Sequence, residues 1–542
     1  MQSTLVTGAL ARAGKGRMSP MEHGPRDIFV LPENRQLPAS SPNSISGIGA
    51  YAALEPAPRR TLTPKALHLG RRFAKPKSCS PYAKDSGQSQ TPLAADSPHE
   101  VHHIRRHEVP DDTAIKHVFV FGLDDFNRRQ LETLRPGGNY RFHGLFKHEE
   151  VKAQPEFPVR MLLEEGKRRL AEFPGRIDAI VGYWDFPVCT MLPLLRRPYD
   201  LPSASFEATL KCEHKFWSRL EQQKIVADYV PRFCAVDPFT THQRAQIPLD
   251  FPYWIKPVKA ASSHLAFKVR NDDELAHAMG EIRRGIFRFG NPFNYLLQFA
   301  HLPPEVAAVE GNHCIAEADI SRGRQCTLEG YVHDGDVQIY GAIDSTREGK
   351  HRSSFARYQY PSRLPARVLE RMTAVTQRFM SHIGYDNSPF NIEYYWDAGT
   401  DRIWLLEVNT RISKSHCPLF KHVDGAYHHQ VMVDVALGRR PDFPYRQGKY
   451  RCAGKFMWRI FQDAVVTRVP TTDELDDICR HIHGVEVQLH VREGTRLSEL
   501  PDQDSYSYEV AVIFLGANSQ TKLLQKYRDC QKAMHLRFNP VH

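Results

Sequence analysis

Two β-type runs around residue 400 place carboxylate and carboxamide side chains at a spacing that suits metal chemistry. The runs flank a turn that contains Gly399, which is typical of an antiparallel hairpin. A hairpin centred on this turn would pair Glu393 with Glu407 and Asn391 with Asn409. Like charges directly opposite each other destabilise a sheet, so two facing glutamates predict a compensating cation.

The period of two along the second run separates apolar from polar side chains. The two predicted faces carry Trp404, Leu406 and Val408 on one side, and Glu407, Asn409 and Arg411 on the other. Carboxylate and carboxamide oxygens are hard ligands that suit Mg²⁺, which completes its shell with water and phosphate oxygens. The hairpin therefore predicts a magnesium-phosphate site. The alternative is a solvated face with two incidental glutamates.

The same hairpin resembles a known family signature. Asn391-Ile-Glu393, followed by Leu406-Glu-Val-Asn-Thr-Arg411, looks like the metal-binding signature of the ATP-grasp superfamily. Upstream features stand in the order of that family: Lys215 in a helix, Lys256 in Trp-Ile-Lys-Pro, and a strand at 314–320. The resemblance covers roughly residues 117–535.

The resemblance implies a site for ATP and Mg²⁺, with Mn²⁺ as an alternative metal. It assigns the metal to Glu393, Glu407 and Asn409, and catalytic roles to Lys256 and Arg411. A lysine is a point charge for phosphate oxygens, and an arginine can hold a phosphoryl group through two hydrogen bonds. The nucleotide-binding residues that it implies are Lys215, Lys256, Ser262, Ser263, Glu317, Ile320 and Gln325.

Two positions depart from the family pattern. The loop that covers the phosphates is usually glycine-rich, whereas Lys259-Ala-Ala-Ser-Ser-His264 contains no glycine. The family generally places a carboxylate on the ribose hydroxyls, whereas this chain has the neutral Gln325 there. Both departures bear on the choice of nucleotide and on its affinity.

The predicted function is an ATP-dependent carboxylate–amine (or thiol) ligase, which forms an acyl phosphate and releases ADP and phosphate. Its partners would be small-molecule carboxylate and amine or amino-acid substrates. A basic, aromatic loop at 344–365 suits a carboxylate, and among the histidines after the hairpin His416 is the candidate to touch substrate. One alternative is biotin-carboxylase-like bicarbonate activation with a separate carrier. The other is a catalytically inactive nucleotide-binding scaffold.

The elements around these residues predict a mixed α/β and α+β fold of the ATP-grasp type. Strands alternating with helices between 117 and 195 predict a small parallel sheet, and a single helix is expected over 206–223. From residue 251 the pattern changes to antiparallel hairpins with interspersed helices. The predicted domains are a disordered Pro/Ser-rich tail (1–112), an N-terminal α/β domain (113–235), the ATP-grasp domain (236–440) and a C-terminal α+β module (441–542).

Composition excludes several other classes of protein. The 542 residues are 41% hydrophobic and 25% charged, and no apolar run is long enough to span a membrane. The ten cysteines are scattered without a CxxC pair, which favours reduced thiols and a cytoplasmic location. The net charge is +10, but residues 1–112 hold 15 Lys+Arg against 10 Asp+Glu, half of the excess. We therefore expect neither a nucleic-acid partner nor association with a membrane. Many proteins that this chain resembles are dimers, so a homodimer is the expected state.

Residues 1–112 differ in composition from the remainder. They contain 13 of the 38 prolines and no sustained period of 2 or 3.6, so they cannot bury enough apolar surface to order themselves. A solvated tail, or a start site upstream of the folded product, is the favoured interpretation. A transit peptide is the alternative, since the first 21 residues carry Arg12, Lys15 and Arg17 without an acid.

Overall fold

The structure is a computed structural model that describes residues 114–541, apart from 135–138, 153–155, 262, 350–353, 502 and 505. The predicted tail at 1–112 and Ser262 lie outside the described residues. Within the described ranges, no helix combines the length and the apolarity that crossing a bilayer requires.

The first elements form the small parallel sheet that the sequence predicts. Its strands are β1 (Lys116–Leu123), β2 (Tyr140–Lys147) and β3 (Ala179–Val181), in the order β2-β1-β3, with helices α1 (Asp125–Leu131), α2 (His148–Val151), α3 (Val159–Ala171) and α4 (Val188–Arg196). Alternate side chains of β1 pack in hydrophobic clusters on opposite faces of the sheet. Phe119 and Phe121 pack with α3 and α4, and Val118 and Val120 pack on the other face. Burial on both faces explains the continuous apolar run.

The prediction of a single helix over 206–223 is wrong in one respect, because two helices meet there at His214. The two pieces are α5 (Phe206–Glu213) and α6 (Lys215–Val226), and the backbone of His214 is extended. The imidazole Nδ1 accepts the amide of Trp217 at 3.3 Å, and Nε2 donates to the carbonyl of Val309 at 2.8 Å. The histidine thus caps the second helix, which places Lys215 in its first turn.

The next region is an antiparallel four-stranded sheet flanked by helices. Its strands β4 (Phe233–Val236), β5 (Tyr253–Pro257), β6 (Phe267–Val269) and β7 (Cys314–Ala318) stand in the order β4-β7-β5-β6, with helices α7 (Asp272–Gly285), α8 (Phe287–Leu297) and α9 (Pro304–Ala307) between β6 and β7. The Asn271 side chain accepts the amide of Glu274 at 2.8 Å and so caps the start of α7. The predicted domain boundary at 235 falls inside β4.

An antiparallel eight-stranded sheet joins the remaining predicted regions. In spatial order the strands are β12 (Arg402–Asn409), β11 (Ser388–Asp397), β8 (Arg324–His333), β9 (Asp336–Glu348), β10 (Ser354–Tyr360), β13 (Cys452–Ile460), β16 (Tyr508–Ala517) and β15 (Val485–Leu489). Helices α10 (Ala366–His382), α11 (Cys417–Val423), α12 (His429–Ala436), α13 (Thr472–His481) and α14 (Gln520–Met534) flank it, and β14 (Ala464–Arg468) pairs with β17 (Arg537–Pro540). The sheet therefore continues across the predicted boundary at 440.

The prediction of a loop at 344–365 is wrong over most of that range, because two strands occupy it. Strand β9 continues to Glu348, and β10 pairs with it from Ser354. Both strands carry charged and aromatic side chains that line a cavity, among them Arg347, Arg357 and Tyr358. A strand that faces a polar cavity lacks the apolar alternation by which strands are identified, so the sequence pattern indicated a loop.

The hairpin of β11 and β12 has the predicted register. Glu393 pairs with Glu407, and Asn391 pairs with Asn409. The predicted faces are wrong at Leu406, because Tyr394 pairs with Leu405 and leaves Leu406 as an extra residue. This bulge exchanges the faces: Ile403, Leu405 and Val408 pack in the core, whereas Trp404 and Leu406 lie outside it.

Gly323 stands before β8 in a conformation that a side chain would strain. Its φ is +94°, and an added Cβ would collide with the carbonyl oxygen of Trp396 and lie 2.8 Å from the Cα of Asp397. We expect Gly323→Ala to lower the free energy of unfolding by about 2–5 kcal/mol, the sum of left-handed strain and overpacking.

Gly335 is the matched control for this substitution. It occupies the Asp334-Gly335 turn between β8 and β9 with φ +76°, and an added Cβ would meet nothing within 4 Å. Gly335→Ala should therefore cost only the left-handed strain, about 1–2 kcal/mol. Chemical denaturation of both variants measures the difference. Equal losses would contradict the close approach at Gly323.

Candidate functional site

One cavity of about 2100 Å³ collects the residues that the sequence singles out. It is lined from all three regions of the fold, by the turn after β3, by the four-stranded sheet and by the eight-stranded sheet. The predicted site residues that line it are Lys215, Lys256, Ser263, Glu317, Ile320, Gln325, Glu393, Glu407, Asn409 and Arg411. Every predicted site residue that the structure describes therefore faces the same space, and Ser262 lies outside the described residues.

Glu393 is half-buried and held by a chain of polar contacts. Gln325 Nε2 donates to Glu393 Oε2 at 2.7 Å, and Gln325 Oε1 accepts from Arg347 Nε at 2.7 Å and from the Tyr395 hydroxyl at 3.1 Å. Burial, and then the facing charge of Glu407, raise the pKa of Glu393 to about 7. Gln325, which the resemblance assigns to the ribose, is thus placed against a predicted metal ligand.

Glu407 differs from its partner because cations surround it. Lys215 Nζ lies 2.9 Å from Glu407 Oε1 and also donates to the carbonyl of Ala260 at 3.1 Å. Burial would raise the pKa of Glu407, but the ammonium groups of Lys215 and Lys256 hold that pKa below its ordinary value. The two facing carboxylates thus have pKa values shifted in opposite directions.

Lys256 is positioned by a buried carboxylate. Its Nζ lies 2.6 Å from Glu317 Oε2, and Glu317 Oε1 accepts from Arg219 Nε at 2.6 Å. Arg219 also donates to the carbonyls of Leu405 and Leu406 at 2.9 and 2.8 Å. Burial raises the pKa of Glu317, but Arg219 and Lys256 lower it to about 2. Glu317 thus orients Lys256. Arg219 connects this pair to the bulge at Leu406 in the β11–β12 hairpin.

The loop predicted to cover phosphates turns its first residue inwards. Lys259 forms a buried ion pair with Glu213, which also accepts the amide and the hydroxyl of Thr410 at 3.2 and 2.7 Å. Ser263 lines the cavity with φ +58°, a left-handed conformation that glycine usually provides. The loop is thus anchored through Lys259, and Ser263 supplies a turn without glycine.

Arg411 is oriented by an acid that lies 226 residues earlier in the sequence. Its Nε and Nη2 lie 2.7 and 2.5 Å from Asp185 Oδ1. Burial opposes the charge of Arg411, but Asp185 raises the pKa of the guanidinium above its ordinary value. Asp185 was missed in the sequence, although it follows β3, where the carboxyl ends of parallel strands commonly form sites.

The donor set around the hairpin fits a hard divalent cation. Asn409 Nδ2 donates to Asn391 Oδ1 at 2.9 Å, and Asn391 Nδ2 donates to the carbonyl of Arg411 at 3.0 Å, so the Asn409 oxygen is turned away from these contacts. The described residues contain no cluster of three or more His, Cys, Asp or Glu that could hold a metal. Two carboxylates and one carboxamide would thus supply part of a Mg²⁺ shell, with phosphate and water supplying the remainder.

A second group of cations lines the cavity near the turn after β3. Lys414 Nζ lies 3.8 Å from the ring centre of Trp184, and burial lowers the pKa of Lys414 to about 8. Lys455 Nζ donates to the hydroxyl of Ser415 at 3.0 Å, and burial lowers its pKa as well. The sequence alone does not identify either lysine as a site residue, because neither belongs to a recognisable motif.

Comparison with known proteins supports the family resemblance. The model of the family "Carbamoyl-phosphate synthase L chain, ATP binding domain" matches residues 358–442, which include β11 and β12. Among curated proteins, no sequence relative matches the chain.

Several solved structures share the fold at low sequence identity. An L-amino acid ligase from Bacillus licheniformis is 16% identical with a TM-score of 0.59, covering 78% of this chain and 99% of its own. A carboxyaminoimidazole ribonucleotide synthase from Aspergillus clavatus, solved with ATP, is 13% identical with a TM-score of 0.54, covering 77% and 98%. The biotin carboxylase domain of Hydrogenobacter thermophilus 2-oxoglutarate carboxylase, solved with MgADP and bicarbonate, is 14% identical with a TM-score of 0.52, covering 79% and 91%.

Identities this low show the fold alone, and they agree with the hairpin signature and with the family match. The chain has the ATP-grasp fold, and the family model matches residues 358–442 within it.

Proposed function

We propose that the chain is an ATP-dependent carboxylate–amine ligase that forms an acyl phosphate and releases ADP and phosphate. The observation that carries the proposal is the set of Glu393, Glu407, Asn409 and Arg411 on one end of the hairpin, in a cavity that Lys215 and Lys256 also line. The structural similarity to a protein described as an L-amino acid ligase supports the same class of reaction.

The residues of the cavity divide into binding and orienting groups. Lys215 and Lys256 would bind phosphate oxygens of ATP, and Glu317 fixes the direction of Lys256. Glu393, Glu407 and Asn409 would hold Mg²⁺, which when bound neutralises phosphate charge. Arg411, fixed by Asp185, would hold the transferred phosphoryl group through two hydrogen bonds.

The proposed chemistry splits amide formation into two displacements. A carboxylate oxygen attacks the γ-phosphorus, the bond to ADP breaks, and an acyl phosphate forms. An amine nitrogen then attacks the acyl carbon, and the carbon–oxygen bond to phosphate breaks. The cations Lys414 and Lys455 also line the cavity, and their charge suits a carboxylate substrate. Closure around the bound substrates would protect the acyl phosphate from water.

We also propose that the reaction takes place in the cytoplasm. The nine cysteines in the described part of the chain are all free thiols, and most of them are buried. Reduced thiols are the ordinary state in that compartment.

Product analysis with the full chain tests the proposed function. The protein would be incubated with MgATP and a mixture of the twenty proteinogenic L-amino acids, and ADP, AMP and phosphate would be separated by chromatography. ADP and phosphate that depend on the mixture would support ligation, and AMP would overturn it in favour of adenylation. ADP that depends only on bicarbonate would favour the carboxylase alternative. Binding of MgATP without turnover would favour the inactive scaffold.

A further inference from the structure

A buried histidine–carboxylate pair lies beside the β11–β12 hairpin and has no part in the proposed phosphoryl transfer. His416 Nδ1 lies 2.7 Å from Glu329 Oε1, and the two side chains are 3% and 0% exposed. His416 also lines the cavity, so its remaining exposed edge faces the space that the proposed substrates would share. A fully buried carboxylate needs a partner, and His416 is the nearest one.

The strand register places this pair close to the metal ligands. Glu329 lies on β8 directly opposite Asn391 on β11, and Thr327, two residues earlier on β8, lies opposite Glu393. Alternate residues of a strand share a face and are separated by about 7 Å. The carboxylate of Glu329 therefore belongs to the same face of the sheet as Glu393, one side-chain step along it.

The surroundings leave His416 as the principal partner of Glu329. The amide of Ser413 donates to both oxygens of Glu329 at 3.3 and 3.4 Å. Both ring nitrogens of His428 bond to groups other than Glu329. Its Nε2 donates to the Ser413 carbonyl at 2.9 Å, and its Nδ1 accepts from the Tyr340 hydroxyl at 3.0 Å. Burial lowers the pKa of His428, so this second histidine stays neutral. Glu329 is thus left to orient His416.

The nitrogen of His416 that faces away from Glu329 has the properties of a base. Donation from Nδ1 to the carboxylate fixes the tautomer in which Nε2 carries a lone pair. Within the described part of the chain, the hydrogen bonds and ring contacts of the His416 side chain are this bond and an edge-to-face contact with the Tyr358 ring, 5.0 Å between centres. Nε2 therefore has no hydrogen-bond partner among the described residues and is available to a ligand in the cavity.

We propose that His416 is the general base for the amine, and that Glu329 is its positioning residue. The inference rests on the proposed function and names the nucleophile as a primary amine that binds as an ammonium ion. Nε2 of His416 takes one proton from the ammonium nitrogen, whose lone pair then attacks the acyl carbon. The carbon–oxygen bond to phosphate breaks, phosphate leaves with the electron pair, and the second proton of the nitrogen is lost to solvent. A thiol nucleophile would not require this proton transfer in the same way, because part of it is ionised near neutral pH.

Hydroxylamine separates this step from the phosphoryl transfer before it. Hydroxylamine is already uncharged at neutral pH, so it traps an acyl phosphate as a hydroxamate without a base. The full chain and its His416→Asn variant would be incubated with MgATP and the twenty L-amino acids, with and without hydroxylamine. Hydroxamate would be measured through the absorbance of its ferric complex. Dipeptides, the amide products of the proposed reaction, would be measured by mass spectrometry.

We expect His416→Asn to lower amide formation by about 10²–10⁴-fold and to leave hydroxamate formation within about threefold. Glu329→Gln keeps a hydrogen-bond acceptor for Nδ1 but removes the charge, so it should lower amide formation by about tenfold with the same unchanged hydroxamate. His422→Asn is the matched control, because His422 lies on α11 and does not line the cavity. Calorimetry with MgATP should give the same affinity for all four proteins.

The possible outcomes separate this inference from the proposed function. Loss of amide with retained hydroxamate supports the general base. Equal loss of both products would assign His416 a structural role, and unchanged amide formation would remove it from the reaction, so either result overturns the inference. Hydroxamate without amide in the wild type would assign the nucleophile to another class and also overturn it. Absence of hydroxamate from the wild type would overturn the proposed function itself.

Discussion

Glu407→Gln should lower ADP formation by about 10³-fold while the protein stays folded. The substitution keeps the shape of the side chain and an oxygen for Lys215, but it removes one of the two charges that would hold Mg²⁺ at the phosphates. Stabilisation of phosphate charge commonly contributes several kcal/mol to the barrier, which corresponds to a loss of this size. Steady-state ADP release, measured over a range of Mg²⁺ concentrations, checks the prediction.

Glu393→Gln should give a loss of similar size, because its carboxylate faces Glu407 across the hairpin. Glu164→Gln is a matched control on the exposed surface of α3 and should leave ADP release unchanged. Circular dichroism and thermal unfolding test the folded state of each variant. Unfolding of either hairpin variant would contradict the account, because it would make these carboxylates structural groups of the sheet and not metal ligands.

Lys259→Met should lower the free energy of unfolding by about 3–5 kcal/mol, the largest stability effect that we expect from a single charge. Its ammonium is the buried partner of Glu213, and the side chains are 5% and 6% exposed. Removing the lysine leaves a buried carboxylate without its cation. Chemical denaturation measures the loss, and Lys224→Met supplies the control, since it breaks an ion pair with Glu221 from an exposed position and should cost less than about 1 kcal/mol.

A double variant tests the origin of that loss. Glu213→Gln combined with Lys259→Met removes both charges, so it should be more stable than Lys259→Met alone. If the double variant is less stable than the wild type by the sum of the two single losses, the two groups act independently, and the assigned ion pair is wrong.

The same pair makes a predictable contribution to acid stability. Burial raises the pKa of Glu213, but Lys259 and Thr410 lower that pKa from 4.5 to about 2 in the folded protein. A depressed pKa means that the stabilisation is complete above pH 4.5 and is lost as the pH falls towards 2. Unfolding measured over this range should show a smaller pH dependence in Glu213→Gln than in the wild type. An equal pH dependence would contradict the assigned pKa.

The sequence predicted those parts of the fold that local rules determine. The register of β11 and β12 followed from the short turn at Gly399. The bulge at Leu406 was not predictable, because Leu405 and Leu406 are both apolar and the sequence does not indicate which of them is the extra residue. Strand β10 was missed for a related reason, since its side chains face a polar cavity and not a core.

The candidate site was predicted only where its residues stand in a motif. Glu393, Glu407 and Arg411 were found because they are close in the sequence and alternate along one strand pair. Asp185 and Arg219 act on the same hairpin from more than 180 residues away, with separations of 226 residues to Arg411 and 186 to Leu405. Contacts of this kind depend on the tertiary arrangement of the sheets, which no local pattern specifies.

The transfer of an oxygen atom tests the central claim most directly. The amino acid on which ADP formation depends would be labelled with ¹⁸O in its carboxylate and incubated with the full chain, MgATP and the amine. If the carboxylate attacks the γ-phosphorus, one ¹⁸O atom of each molecule that reacts must appear in the released phosphate, where ³¹P NMR and mass spectrometry detect it. Phosphate without the label, or label in AMP, would contradict an acyl phosphate intermediate.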